Sequence, residues 1–260
     1  MSEIREDTNA RSGRLGPPIA KRILYRLWGL GATIVCATFA IVMSPVGALI
    51  ANIDEGRAAN RLGIFGARFI LRTTATRVRL TGLHHLQPGT QYVFVANHQS
   101  VMDIIALAAS LPYQLRFVAK LQVSRIPFFG FAVRRSRHIL INLENGRAIR
   151  RALVAGRLGF SIVVFPEGHR FVDGAVHRFR PGAAWLAIRA GLPCVPIAVN
   201  GGGDILPPRA RIGHPGRSMT ISIGSPIEPD ELARMGRRAL TERLEHDVRR
   251  LFAGSSPASP

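Results

Sequence analysis

From about residue 76 onward, short runs rich in β-branched residues alternate with helical segments, and this alternation restricts the fold more than any other feature of the chain. The strand runs are Arg77–Leu80, Tyr92–Ala96, Leu115–Ala119, His138–Ile141, Ser161–Phe165, Cys194–Val199 and Met219–Ile223. Between them lie helical segments at Val101–Ser110, Val123–Val133, Gly146–Leu158 and Gly182–Ala190, and a last one runs from about Asp230 to Phe252. A helix between successive strands is the connection that parallel strands need. The expected fold is therefore α/β, with a largely parallel central sheet flanked by helices.

Ahead of this region, Leu27 to Ile53 carries no charged residue and no histidine, a run of 27 residues. About 20 apolar residues suffice to cross a bilayer core. Lys21, Arg22 and Arg26 precede the run. No small-residue cleavage site clearly follows it, so a removable leader fits less well than a membrane-associated segment. Pro45 is expected to break the run. A second stretch, 62–71, contains Arg68 and is too short to span. A single span held by the N-terminal positive charges would place the remainder of the chain outside the cytoplasm. A hairpin dipping into one leaflet leaves both ends on the same side, and that is the expected topology. The expected divisions are a disordered basic N-terminus (1–22), a membrane-associated helical segment (23–72), a catalytic domain (73–253) and a disordered tail (254–260).

Lys and Arg number 35 against 16 Asp and Glu, a formal charge of +19. Such a field attracts anions, whether nucleic acid, an anionic membrane surface or phosphorylated substrates. Aromatic content is only 7%, and no nucleic-acid-binding module is recognisable, so no specific nucleic-acid partner is expected. Cys36 and Cys194 lie far apart and far from any histidine cluster of zinc spacing, which argues against a disulfide framework or a metal centre. Neither a G-x-S-x-G elbow nor an H-E-x-x-H helix is present.

Two short segments carry candidate chemistry. The strand run Tyr92–Ala96 leads into NHQSVMD, and the C-terminal end of a parallel strand is where α/β folds bind ligands. If His98 lies in the turn before a helix and Asp103 in the first turn of it, the two can meet. The carboxylate then fixes the imidazole tautomer and makes it a general base. Ser100 to Asp103 reads equally well as a capping box, which would explain both of those residues without chemistry. The strand run Ser161–Phe165 leads into FPEGHR, where Pro166 and Gly168 force a turn. Glu167 and Arg170 are expected to project from it, Arg170 as a phosphate ligand, or else as a solvated Glu–Arg pair.

Together these segments resemble the glycerolipid acyltransferase family, in particular bacterial 1-acyl-sn-glycerol-3-phosphate acyltransferases. NHQSVMD (97–103) looks like the histidine–aspartate motif, and FPEGHR (165–170), about 65 residues later, like the glutamate–glycine–arginine motif. AKLQVSRIPFFGFAVRR (119–135) resembles the intervening stretch, with Lys120, Pro127 and Gly130 in place. FRPGAAWLA (179–187) and CVPIAVNGG (194–202) resemble the segments that follow, and the likeness covers roughly residues 75–228.

The resemblance implies that His98 deprotonates an acceptor hydroxyl, that Asp103 orients it, and that no acyl-enzyme forms. It places Lys120, Glu167, Gly168 and Arg170 in the substrate site. The implied reaction moves a fatty acyl group from acyl-CoA or acyl-carrier protein, a co-substrate with no further cofactor, to the sn-2 hydroxyl of 1-acyl-sn-glycerol-3-phosphate. The implied partners are the lysophospholipid, the thioester carrier and an anionic membrane surface. The implied location is the cytoplasmic face of the inner membrane. Two departures bear on the acceptor. His169 stands where the third motif commonly has threonine, and Asn142 and Leu143 follow the strand where an arginine is common. Arg134, Arg135 and Arg137 are the nearby sources of charge. Another lyso-lipid acceptor, such as lyso-ornithine lipid, is the alternative, and a non-enzymatic basic membrane-surface protein is a further one.

Overall fold

The computed structural model describes residues 19–122, 138–141 and 147–255. The expected helix Val123–Val133, together with Pro127, Gly130, Arg134, Arg135, Arg137, Asn142 and Leu143, lies outside the described residues, as do 1–18 and 256–260. In chain order the elements are α1 (Ile19–Ile50), α2 (Arg57–Thr73), β1 (Arg77–Thr81), β2 (Val93–Ala96), α3 (Val101–Ser110), β3 (Leu115–Lys120), β4 (Ile139–Ile141), α4 (Arg147–Arg157), β5 (Ser161–Val164), α5 (Gly182–Ala190), β6 (Cys194–Asn200), α6 (Gly202–Ile205), β7 (Ser218–Ile223) and α7 (Pro229–Ala253).

The strands form one sheet in the order β1-β7-β6-β2-β5-β3-β4. Every pairing is parallel except β6 with β7. The expected α/β fold with a largely parallel sheet is the observed one. Both faces are covered, which is why the central strands read as continuous apolar runs. Along β2, Phe94 and Ala96 face a layer containing Leu107, Ile197 and Met219, while Val93 and Val95 face Ala187, Leu232 and Leu240. The alternation follows from the two-residue period of a strand.

Because the strands run parallel, β2, β3, β5 and β6 all end at one edge of the sheet. The segments that follow them, beginning at Asn97, Leu121, Phe165 and Gly201, therefore converge there. Asn97 extends the ladder beyond β2. Its side-chain amide donates to Val199 O at 2.8 Å and its carbonyl oxygen accepts from Val199 N at 2.8 Å.

Pro45 does not end the first helix, which continues to Ile50. A proline removes only the bond from its own nitrogen and crowds one carbonyl, and the helix is held beyond it by packing on α2, where Gly47 lies against Leu62. The second helix starts earlier than its apolar stretch, at Arg57. Asp54 fixes that start, accepting from Ala58 N at 2.7 Å and from Arg61 at 2.6 Å.

Both ends of α1 dock on the sheet domain. Near its N-terminal end, Gly29 packs against the carbonyl of Gly213, where a Cβ would collide, and Thr33 Oγ1 accepts from Gly213 N at 3.3 Å. Its C-terminal end leads into a corner fixed by Arg116, which donates to Glu55 O at 2.9 Å, and by Arg57, which donates to Leu158 O at 2.9 Å. Asn60 Oδ1 accepts from Leu115 N at 3.2 Å. The helix thus lies along the domain, with a solvent-facing apolar stripe that includes Leu24, Leu27, Ile34, Val42 and Leu49. By length and composition alone, Ile23–Ile50 could cross a membrane.

Candidate active site

His98 occupies the turn between β2 and α3, and Asp103 lies in the first turn of α3. Asp103 Oδ2 accepts three hydrogen bonds, from His98 Nδ1 at 3.0 Å, Gln99 N at 2.7 Å and Ser100 N at 2.7 Å. Ser100 Oγ in turn accepts from Met102 N at 3.1 Å and donates to Leu206 O at 2.7 Å. The capping box and the histidine–aspartate pair are therefore both present, and one carboxylate oxygen serves both. Asp103 is fully buried, whereas the His98 side chain keeps 14% of its surface. With Nδ1 donating to the carboxylate, Nε2 is left as the basic nitrogen. The imidazole also stacks on Phe165, with ring centroids 4.1 Å apart.

Asp103 Oδ1 has no hydrogen-bond partner among the described residues. It is pressed against Gly202, where any Cβ would overlap it. The glycine at the start of α6 is thus a requirement of the Asp103 position, and it is a site residue that motif matching alone did not single out.

The turn Phe165–Gly168 closes with Gly168 N donating to Phe165 O at 3.2 Å, and Gly168 has φ +78°, which favours glycine. Arg170 projects from it into solvent, as expected. Glu167 does not project. It is 2% exposed, its Oε1 accepts from His98 N at 3.2 Å, and its Oε2 has no partner among the described residues. Neither a solvated Glu–Arg pair nor a direct ligand position fits that burial. The carboxyl is pushed up to about 8, chiefly by burial and further by the charge of Asp103. The amides of His98 and His177 and the Arg249 charge oppose the shift. At neutral pH Glu167 is mostly a neutral acid behind the histidine turn.

His98 lines a cavity of about 1040 Å³. Its apolar wall comes from three helices, through Phe39 and Met43 of α1, Ile64 and Ile70 of α2, and Ile104 and Ala108 of α3. Its polar rim carries Lys120, Gly168, Arg170, Arg180 and Arg209. No carboxylate lines it among the described residues, and those four cations are all exposed. The structure thus brings His98, Asp103, Lys120, Gly168 and Arg170 together, with Glu167 in the interior and not on the rim. Arg180 lies in FRPGAAWLA (179–187), one of the stretches that resemble the family. Its amide donates to Pro166 O at 3.0 Å, and its side chain covers Gly168, Nε lying 3.2 Å from the position of a Cβ there. Arg209 lies within the overall stretch of likeness but past its last motif, CVPIAVNGG (194–202), and no motif marks it. His138, in the cavity wall, is held down to about 4 by burial and by Arg116, so it is neutral.

Residues 77–200 match the family model described as Acyltransferase. The chain is 28% identical over 186 residues to a 1-acyl-sn-glycerol-3-phosphate acyltransferase of Pseudomonas aeruginosa, covering 70% of this chain and 71% of that protein. The family that these residues resemble is that of the glycerolipid acyltransferases. Other family members matched are a 1-acyl-sn-glycerol-3-phosphate acyltransferase of Chlamydomonas reinhardtii, 30% identical over 66% of this chain, and the alpha form from Mus musculus, 29% identical over 82% of it. The chain spans about half (54%) of the algal protein and 75% of the mouse one. The fold matches that of the crystal structure of the 1-acyl-sn-glycerophosphate acyltransferase of Thermotoga maritima. The TM-score is 0.75 at 22% identity, covering 90% of this chain and 97% of that one.

Proposed function

We propose that this protein transfers a fatty acyl group from an acyl thioester to the sn-2 hydroxyl of 1-acyl-sn-glycerol-3-phosphate, making phosphatidate. The observation that carries the reading is the His98–Asp103 pair opening on a cavity with an apolar wall and a cationic rim. An acyl chain suits the wall and a phosphate suits the rim. His98 Nε2 takes the proton of the acceptor hydroxyl as its oxygen attacks the thioester carbonyl. The tetrahedral intermediate collapses with loss of the C–S bond, and the imidazolium returns the proton to the departing thiolate. Asp103 stabilises the imidazolium between those two steps. Arg170 and Lys120 hold the acceptor phosphate, and Glu167 supports the turn that presents His98. A thioester needs no covalent enzyme intermediate. Cys194, buried in β6 with its thiol pushed up to about 12 by burial, is a poor nucleophile.

The reaction takes place at a membrane surface. A helix docked at both ends along the catalytic domain, with an apolar stripe outward, supports a segment lying in one leaflet on the cytoplasmic face, where acyl-CoA and acyl-carrier protein are found. The test of the reaction is an acceptor panel with purified protein in detergent, comparing lysophosphatidate, glycerol-3-phosphate and lyso-ornithine lipid with acyl-CoA and acyl-carrier protein as donors. Acylation of lysophosphatidate that disappears in His98→Ala is the expected result. Preference for lyso-ornithine lipid, or turnover unaffected by His98→Ala, would overturn it.

A further inference from the structure

We infer that Arg209, from outside the segment that matches the family model, is a phosphate ligand for the membrane-delivered acceptor. Residues 207–210 form a turn closed by Ala210 N donating to Pro207 O at 3.0 Å, with Pro208 second and Arg209 third. Arg209 has φ +71°. Proline second with a positive φ third is the pattern of a type II turn, whose third position normally takes glycine or asparagine. An arginine in that position strains the backbone, and strain of this kind is retained where a side chain has a task.

The side chain has the surroundings for one. Arg209 lines the same cavity as His98, is exposed, and takes part in no ion pair or side-chain hydrogen bond among the described residues. Its loop is also stapled at both ends. Ser100 Oγ, at the cap of the helix that carries Asp103, donates to Leu206 O at 2.7 Å. Beyond the turn, His214 N donates to Ile205 O at 2.7 Å and Gly213 N to Thr33 Oγ1 of α1 at 3.3 Å. The arginine is therefore fixed between the catalytic turn and the helix proposed to lie in the membrane. Lys120, Arg170 and Arg180, by contrast, come from the ends of β3 and β5 and the approach to α5. A lyso-lipid approaching from the side of α1, on which this loop docks, would pass Arg209 on its way to His98, whereas a soluble thioester carrier need not. This placement selects the acceptor's phosphate over a donor phosphate.

The inference rests on the proposed acylation of lysophosphatidate, and the test separates the two. Arg209→Gly removes the guanidinium and relieves the positive φ. Acceptor KM for lysophosphatidate is expected to rise on the order of tenfold, the scale of one charge-assisted hydrogen bond, with donor KM unchanged. The melting temperature should hold or rise. Arg209→Lys should recover part of the acceptor affinity without the gain in stability. With lyso-ornithine lipid, which has no phosphate, Arg209→Gly should match the wild type. An unchanged acceptor KM, a rise in donor KM instead, or a lowered melting temperature that accounts for the lost activity would each overturn the assignment. Calorimetric titration of lysophosphatidate into wild type and Arg209→Gly reads the contact without turnover. If the wild type binds but does not acylate it, the reaction fails while the Arg209 assignment is still decided.

Discussion

Asp103→Asn tests whether one carboxylate oxygen serves catalysis and folding at once. The asparagine oxygen can still accept from Gln99 N and Ser100 N, now as neutral hydrogen bonds, so the helix cap is weakened and not lost. Loss of a cap costs about 1 kcal/mol, and in a domain of this size that lowers the melting temperature by roughly 2–4 °C. The catalytic cost is larger. An imidazolium whose charge centre lies about 4 Å from a carboxylate gains about 4 kcal/mol at an effective dielectric constant near 20. The neutral amide forfeits most of that, so turnover should fall on the order of a thousandfold. Activity and melting temperature are measured on the same sample, and the substitution is repeated in His98→Ala. There it should lower stability by a similar amount and leave the residual activity unchanged, because the imidazole it serves is gone. Asp103→Asn with activity within fivefold of wild type would refute the pair as the catalytic unit and leave a capping box alone.

Arg170→Lys keeps the charge but loses the planar fork, so acceptor KM should rise about tenfold while donor KM stays put, and equal changes would remove Arg170 from the acceptor site. Glu167 has its folded value near 8, above the ordinary 4.5, so the folded protein holds the extra proton between those limits. Stability should therefore fall as pH rises through that window, with a slope of up to about 1.4 kcal/mol per pH unit. Glu167→Gln should flatten melting temperature against pH from 5 to 8, and an unchanged slope would place the titration elsewhere. Single cysteines near residues 10 and 255, in a background lacking Cys36 and Cys194, should both resist an impermeant thiol reagent in intact cells and react after lysis. Labelling of the C-terminal cysteine in intact cells would establish a true span.

The central strands were legible because burial on both faces forces apolar β-branched runs, the edge strand β1 because its residues alternate between exposed and half-buried, and bounds shifted by no more than one residue. Helix α6 was not legible, since four residues carry no periodicity. The early start of α2 was hidden by the polar turn RAANR, which is capped by Asp54 and not marked by hydrophobicity. Pro45 misled because proline reads as a stop, while packing on α2 carries the helix past it. In the site, His98, Asp103 and Arg170 follow from short local spacing. Glu167 was misplaced because no local pattern distinguishes a carboxylate tucked under a turn from one projecting out of it. Gly202 and Arg209 come from segments about a hundred residues away, and only the sheet order and the loop's docking on α1 bring them to the histidine.

The spacing of the pair follows from how this helix begins. With Ser100 as the cap, the third helical residue is 103, the position whose side chain reaches back to the cap amide. His98 lies two residues before the cap, in the turn that must redirect the chain out of β2, and Asn97 pins that turn to β6. A carboxylate at 103 is already aimed at the amides of 99 and 100, so the imidazole needs only to join an acceptor that the backbone has positioned. Moving the acid by one residue would swing it about 100° around the helix and forfeit both the cap and the histidine. A longer side chain at 103 would meet Gly202, and any side chain at 202 would meet Asp103. Four residues between His98 and Asp103 is therefore the separation at which helix capping and orientation of the base use the same oxygen. A site assembled this way holds its base in place whenever the helix is formed.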